Sequence, residues 1–129
     1  MMIDADARYL RSHEWVKKET GNVFAIGLSG YAIEQLGDIV YMELPEVGSE
    51  FKKAEPIGVV ESVKTAADMY TPLSGKVVEI NENVPDNPDV LKTDAYQAGW
   101  LVKIEASDLS EFEALMDDAA YKKYLETEA

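Results

Sequence analysis

The amino-acid sequence predicts a mainly β domain with a few small helices. Short runs rich in β-branched and aromatic residues alternate with Gly, Pro and Asn turn signals along most of the chain. Helical patterning is confined to one short segment in the first third and to the C-terminal end. The 129 residues, 47% of them hydrophobic, suit one compact fold, and no linker or low-complexity tract divides them. We therefore expect a single domain spanning residues 1–129.

Charge and composition exclude several classes of function. Twelve basic and 25 acidic side chains give a net charge of −13, which disfavours binding to nucleic acid or to an anionic membrane surface. A protein partner is expected to present a basic docking face. The chain has no cysteine, so disulfides, thiolate metal sites and a cysteine nucleophile are excluded. Its only histidine is His13, which we expect in a loop and hydrogen-bonded to backbone, so no metal site is predicted.

The N-terminus and the hydropathy indicate a protein that works in the cytoplasm. No apolar run is long enough to span a bilayer, and the first residues are acidic, unlike a signal or transit peptide. We expect a monomer without membrane association.

Local signals define the elements of the first third. Two short strands are expected within residues 9–26, joined by a turn at Thr20-Gly21-Asn22. A short helix follows, with Ser29 as N-cap, Gly37 as its end and a buried stripe of apolar residues. Residues 38–44 are expected to form the next strand.

The central region predicts a hairpin over residues 57–80. The β-branched runs 56–60 and 71–80 flank a polar connection that contains Lys64, so we interpret them as two antiparallel strands joined by a turn. No Gly or Asn stands beside Lys64, and a type I turn, which accepts most residues, fits there. A lysine at this point projects into water, and on local grounds alone it would be an ordinary solvated side chain.

The last third predicts one further strand and a C-terminal helical segment at about residues 108–126. Residues 85–88 are expected to form a rigid loop, and residues 99–104 a strand with Trp100 and Val102 on one face. Ser110 and Glu113 fit a capping box, and Asp118 is a candidate cap for a second short helix. The aromatic residues of that second helix are expected to pack into the core.

The segment Glu61-Ser62-Val63-Lys64, followed by Tyr70-Thr71-Pro72-Leu73-Ser74-Gly75, resembles the lipoyl-attachment signature of the glycine cleavage system H protein family. The resemblance extends from Tyr9 to Tyr124, nearly the whole chain. Its further matching segments are Ser12-His13-Glu14-Trp15, Leu36-Gly37-Asp38-Ile39-Val40, Glu43-Leu44-Pro45-Glu46-Val47-Gly48 and Gly99-Trp100. The resemblance implies a barrel-sandwich hybrid of lipoyl-domain type with a C-terminal helical addition.

The resemblance also implies a non-catalytic carrier with lipoate attached to Lys64. Glu61, Ser62 and Val63 belong to its attachment motif, and a lipoate-attaching enzyme modifies the lysine. The arm then visits three partners: a glycine decarboxylase (P protein) that loads an aminomethyl group, a tetrahydrofolate-dependent aminomethyltransferase (T protein), and dihydrolipoamide dehydrogenase (L protein). No phosphate-cradling glycine pattern and no nucleophile–base pattern argues for independent turnover.

The family pattern places Glu14, and with less support Asp68, beside the cleft that shelters the loaded arm, where an anion suits an ammonium group. On its own, either residue would be interpreted as a surface carboxylate. Many relatives carry histidines in the segment 29–37, where this chain has Tyr31 and Gln35, so no arm-binding histidine is expected there.

Several alternatives remain open at the level of sequence. Biotin carriers usually have Met on both sides of the lysine, and lipoyl domains of 2-oxoacid dehydrogenases usually have Asp before it, whereas Val63 and Thr65 flank Lys64 here. An H-like protein that relays lipoate to other carriers is a closer alternative. An unmodified interaction domain with an inert Lys64 is the alternative from a different class.

Overall fold

The computed structural model describes residues 3–127 and consists mostly of strands in two antiparallel sheets, with short helices. The strands are β1 Arg8–Tyr9, β2 Glu14–Thr20, β3 Val23–Leu28, β4 Ile39–Glu43, β5 Glu50–Phe51, β6 Pro56–Ser62, β7 Ala66–Tyr70, β8 Gly75–Ile80 and β9 Val102–Ala106. The helices are α1 Gly30–Leu36, α2 Asn83–Asp86, α3 Val90–Asp94, α4 Ser110–Glu113 and α5 Asp118–Thr127. The larger sheet has the order β1-β2-β3-β9-β8-β5, the smaller has the order β4-β6-β7, and neither closes on itself. This mainly β, two-sheet arrangement with a C-terminal helix confirms the predicted fold class.

The first third folds as its local signals predict. β2 and β3 pair across a turn in which Gly21 adopts the left-handed φ of +56°. The Ser29 hydroxyl accepts a hydrogen bond from the Ala32 N–H at 3.3 Å and so caps α1. Gly37 ends the helix with a φ of +74° and donates its N–H to the carbonyl of Ile33.

The hairpin that contains Lys64 is shorter than predicted. β6 pairs with β7, with Glu61 opposite Ala66, so the hairpin spans residues 56–70. The β-branched run 75–80 does form a strand, β8, but it pairs with β5 and β9 in the other sheet. The chain crosses between the sheets through the buried residues Thr71, Pro72 and Leu73. The prediction was wrong here because Ala66-Ala67-Asp68 has little β propensity, and local propensity does not say which strands will pair.

The last third departs from the prediction at four points. Residues 83–86 form the helix α2 and so take up part of the predicted rigid loop 85–88. β9 begins at Val102, so Trp100 precedes the strand. Ser110 does not cap α4; it lies inside the helix, and the Asp108 carboxylate accepts its N–H at 3.0 Å. In the same way Asp117 rather than Asp118 accepts the Ala120 N–H, at 2.8 Å, at the start of α5.

The buried apolar residues form two clusters. The larger contains aliphatic side chains from both sheets, including Val16, Ile26, Val60, Val77 and Ile104. The smaller, here called the aromatic cluster, is built on Tyr9, Trp15, Tyr96 and Tyr121. Burial of Tyr121 confirms that the C-terminal helix packs its aromatic face into the core. The Tyr9 and Tyr121 rings are stacked, with centroids 4.1 Å apart.

Candidate functional site

The turn that connects β6 and β7 is organised by Ser62. Its hydroxyl accepts the N–H groups of Lys64 at 3.1 Å and Thr65 at 3.2 Å, and its own N–H donates to the Thr65 carbonyl at 2.7 Å. The Val63 N–H donates to the Asp38 carbonyl at 3.0 Å, which ties the turn to the start of β4. No residue of this turn needs a positive φ, as expected from its lack of glycine. Two predicted motif residues, Ser62 and Val63, therefore fix the backbone beside Lys64.

Lys64 lies exposed at the tip of this hairpin. Its side chain forms no ion pair within residues 3–127. The aliphatic part of the side chain lies over Gly37: a Cβ atom placed on Gly37 would be 3.5 Å from Lys64 Cε and 3.8 Å from Nζ. The lysine amine thus stands in solvent, while its stem has a defined neighbour at the end of α1.

A groove between α1 and α3 reaches the same glycine. It has a volume of about 560 Å³ and includes Gly37, Ile33, Leu91 and Tyr96 in its lining. At its Lys92 edge, an ion pair joins Lys92 to Asp38. The hydrogen bond and positive charge of Lys92 lower the pKa of the Asp38 carboxyl, and the charge of Lys64 acts in the same direction. A concave surface with an apolar base therefore begins where the lysine stem rests.

Glu14 is buried, with a relative exposure of 2%, so the interpretation of this residue as a solvated carboxylate is wrong. One carboxylate oxygen accepts the Ser12 hydroxyl, and the other accepts the Tyr70 N–H at 3.0 Å. Burial raises the pKa of Glu14 to about 7, against the opposing effect of these hydrogen bonds. Glu14 therefore joins β2 of the larger sheet to the end of β7 in the hairpin.

Asp68 lies in a different environment. It is exposed on β7, and the pairing puts it in one row across the small sheet with Val59 and Glu43. Glu61, also exposed, lies on the same face two positions further along β6 and is paired with Tyr41. The outer face of the small sheet beside the tip is thus acidic. Glu14 and Asp68 do not share a contact: the first lies beneath the Tyr70 backbone and the second faces water.

Contrary to the expectation, the His13 ring makes no hydrogen bond to the backbone of residues 3–127. Its Nδ1 lies 2.8 Å from the hydroxyl of Tyr121, and its ring centroid is 4.5 Å from that of Tyr31. Burial lowers the pKa of His13, because the charged imidazolium is disfavoured away from water. Its backbone φ of +79° is unusual for a residue other than glycine.

Sequence reasoning missed the surroundings of the lysine stem. The sequence marks Gly37 only as the end of a helix, and nothing local in it links Asp38 to Lys92, which follows 54 residues later. The α1–α3 groove depends on the same long-range packing. No sequence signal short of the fold itself would have identified these neighbours.

This arrangement, two sheets with an exposed lysine at a hairpin tip, is similar to that of carrier domains in which such a lysine bears a swinging arm. Within residues 3–127 no group of three or more acidic or histidine side chains could hold a metal ion. In the same described part of the chain, no helix is long and apolar enough to cross a membrane.

Comparison with known proteins identifies the family. The Glycine cleavage H-protein family model matches residues 7–128, and the chain belongs to this family. The glycine cleavage system H protein of Anaeromyxobacter sp. strain K is 47% identical over 126 residues, which is 98% of each chain. That of Thermotoga maritima is 49% identical over 117 residues, covering 91% of this chain and 94% of the relative. A crystal structure of a glycine cleavage system H protein from Mycobacterium marinum superposes with a TM-score of 0.87 at 33% identity, covering 96% of this chain and 99% of that one.

The family acts as the lipoyl carrier of the glycine cleavage system and is a non-catalytic subunit of that system. The chain is therefore a carrier that interacts with the enzymes of the system.

Proposed function

We propose that Lys64 is the lipoyl-attachment residue and that residues 1–129 work as one lipoyl-carrier domain. The single observation that carries this proposal is the position of the Lys64 amine, exposed at a hairpin tip whose backbone Ser62 fixes. An attaching enzyme needs access to the amine, and a tip held by two paired strands gives that access without disturbing the core. Glu61, Ser62 and Val63 form the remainder of the attachment motif, with Ser62 holding the turn and Val63 bound to the Asp38 carbonyl.

Bound lipoate would supply a disulfide that opens to two thiols, one of which carries the aminomethyl group derived from glycine. The part played by this chain is to hold and present the arm. Formation of the amide removes the Lys64 ammonium charge, and Asp38 then has Lys92 alone as its neighbouring cation. The lysine stem stays over Gly37 and beside the α1–α3 groove.

The specific partners in this proposal are a lipoate-attaching enzyme, glycine decarboxylase, the tetrahydrofolate-dependent aminomethyltransferase and dihydrolipoamide dehydrogenase. The acidic outer face of the small sheet, with Glu43, Glu61 and Asp68, suits partners that dock through basic surfaces. The protein is proposed to act as a monomer in the cytoplasm.

Asp68 and Glu14 are proposed to stabilise the ammonium group of the loaded arm in different ways. Asp68 is exposed on the hairpin strand, so a charged arm can reach it directly from solvent. Glu14 is covered, and both of its oxygens already accept hydrogen bonds, so its ionised form, favoured above its pKa of about 7, acts from beneath the Tyr70 backbone. Shelter from water slows hydrolysis of a labile aminomethyl group.

Mass spectrometry tests the attachment site directly. The protein is expressed with a lipoate ligase and free lipoate, and the intact mass and the peptide containing Lys64 are measured for the wild type, Lys64→Arg and the matched control Lys52→Arg. One lipoyl group confined to that peptide, kept in Lys52→Arg and lost in Lys64→Arg, is expected. Because the chain has no cysteine, thiol titration after reduction counts only dithiolane sulfur. An unmodified wild type, or biotin at Lys64 in protein from its own host, would contradict the proposal.

A further inference from the structure

The hydroxyl of Tyr121 lies at a junction of three parts of the fold. Tyr121 belongs to α5 and is fully buried, and its ring stacks on Tyr9. Its oxygen is 2.7 Å from the hydroxyl of Ser29, the N-cap of α1, and 2.8 Å from Nδ1 of His13, which precedes β2. One polar atom from the C-terminal helix is thus shared by two segments that are distant from it in sequence.

These contacts form a directed chain of hydrogen bonds that ends at the first turn of α1. With Nδ1 of His13 unprotonated, the Tyr121 hydroxyl donates to His13 and the Ser29 hydroxyl donates to Tyr121. The Ser29 oxygen then accepts the Ala32 N–H at 3.3 Å. A second buried tyrosine, Tyr96, accepts the Gly30 N–H at 3.1 Å. The start of α1 is therefore held by the Tyr96 hydroxyl directly and by the Tyr121 hydroxyl through Ser29.

The opposite end of α1 supports the lysine stem. The helix is seven residues long and ends at Gly37, over which the side chain of Lys64 lies. A helix this short is not stable by itself in water, so its position depends on its caps and packing contacts. Its length of about 10 Å, at 1.5 Å per residue, separates the first turn, next to Ser29, from Gly37.

We propose that the Tyr121 hydroxyl is a positioning group for the arm-bearing lysine, because it fixes the first turn of α1 and with it the Gly37 surface on which the Lys64 stem rests. This inference rests on the proposed attachment of the arm to Lys64. It assigns to the C-terminal helix a role in presenting the arm in addition to covering the core.

The test compares Tyr121→Phe with the wild type and with Tyr124→Phe. Tyr121→Phe removes one hydroxyl and keeps the stacked ring, so the fold is expected to persist. Tyr124 lies on the same helix, is only partly buried, and its hydroxyl makes no hydrogen bond with residues 3–127. Amide hydrogen exchange is measured first on unmodified protein, since this readout needs no lipoate. We expect exchange in α1 and at Gly37 to rise by about tenfold in Tyr121→Phe, with β8 and β9 unchanged and Tyr124→Phe like the wild type.

The second measurement is aminomethyl loading of the lipoylated proteins by glycine decarboxylase. We expect kcat/KM for the carrier to fall several-fold in Tyr121→Phe at equal lipoyl content, and to stay at the wild-type value in Tyr124→Phe. If exchange rises equally in every element, the hydroxyl has only a general structural role and the inference is overturned. Unchanged α1 exchange, or faster exchange with unchanged loading, overturns it as well.

One further variant and one comparison ensure that every outcome supports or overturns the inference. Ser29→Ala removes the hydroxyl partner in α1 and is expected to raise α1 exchange in the same direction, which covers the case of a poorly folded Tyr121→Phe. A wild-type protein that takes up no lipoate would overturn the proposed function, and this inference with it. If the wild type is loaded normally and the Tyr121→Phe variant is loaded at the same rate, only this inference is overturned.

Discussion

The hairpin tip and the aromatic cluster differ in how far apart in sequence their contacts are. At the tip, the Ser62 hydroxyl binds residues two and three positions away, and the side chains around it are exposed. In the aromatic cluster, the Trp15 ring nitrogen donates to a carbonyl 80 residues away, and Tyr121 meets His13 across 108 residues. The tip is shaped by local turn chemistry, whereas the cluster exists only in the completed fold.

This difference separates the backbone geometry of the turn from the stability of the protein. The hydrogen bonds that Ser62 makes within the turn can persist when distant parts of the core change, whereas the Lys64 stem depends on α1 through Gly37. Stability resides in buried aromatic and aliphatic packing, where large side chains contribute most. Changes in the cluster should therefore alter the free energy of unfolding, and changes at the tip should alter modification.

The largest expected effect is that of Trp15→Ala. Trp15 is fully buried, and its ring fills the space left open by Gly27, where a Cβ would approach the indole to 2.6 Å. Loss of this side chain leaves a cavity and an unpaired Ala95 carbonyl, so the free energy of unfolding should fall by about 3–5 kcal/mol. Denaturant unfolding measures this, with the partly exposed Trp100→Ala as control. If the free energy of unfolding falls by less than about 1 kcal/mol, the aromatic cluster contributes less to stability than we expect.

A smaller, pH-dependent effect is expected for Glu14, which connects the two sheets. The pKa of Glu14 is raised to about 7 in the folded state, so between its ordinary value and pH 7 the native protein binds more protons than the unfolded chain. This group therefore lowers the stability of the wild type as the pH rises through that window. In Glu14→Gln the contribution is absent, so the stability of the variant relative to the wild type should rise by about 3 kcal/mol from pH 4 to pH 8. Urea unfolding at a series of pH values measures it, and a difference that stays constant with pH would show that Glu14 titrates normally.

The smallest effect on stability is expected for Ser62→Ala at the tip. Its hydroxyl accepts two backbone N–H groups in an exposed turn, where water can replace it, so the free energy of unfolding should fall by about 1 kcal/mol or less. The rate of lipoylation by a ligase should fall several-fold, because the backbone around Lys64 loses its fixed geometry. Ser107→Ala, which changes an exposed serine outside the hairpin, serves as control. Equal rates for both variants would show that the enzyme does not require the turn geometry.

The same distinction explains how much of the molecule could be predicted from its sequence. The turn at Gly21 and the helix from Ser29 to Gly37 were predicted correctly because each depends on residues within a few positions of one another. The pairing of residues 75–80 was predicted wrongly because β propensity selects a strand but not its neighbour. Burial of Glu14 depends on Tyr70, which follows 56 residues later, and no local pattern distinguishes it from a surface glutamate. The family motif located Lys64, and no local pattern revealed its contact with Gly37.

The fixed tip also determines how the arm would find its targets. The last residue pair between β6 and β7 is Glu61 with Ala66, so Lys64 stands in a short turn only three residues beyond Glu61. With lipoate attached to Lys64, the dithiolane would be tethered to the carrier. Once an enzyme has docked, the encounter between the dithiolane and the enzyme's active site would become intramolecular. Short flexible tethers give effective concentrations on the order of millimolar, independent of how dilute the carrier is. The tether would begin at Lys64 for every partner. Exchange between partners would therefore depend on docking and release, without any refolding of the carrier.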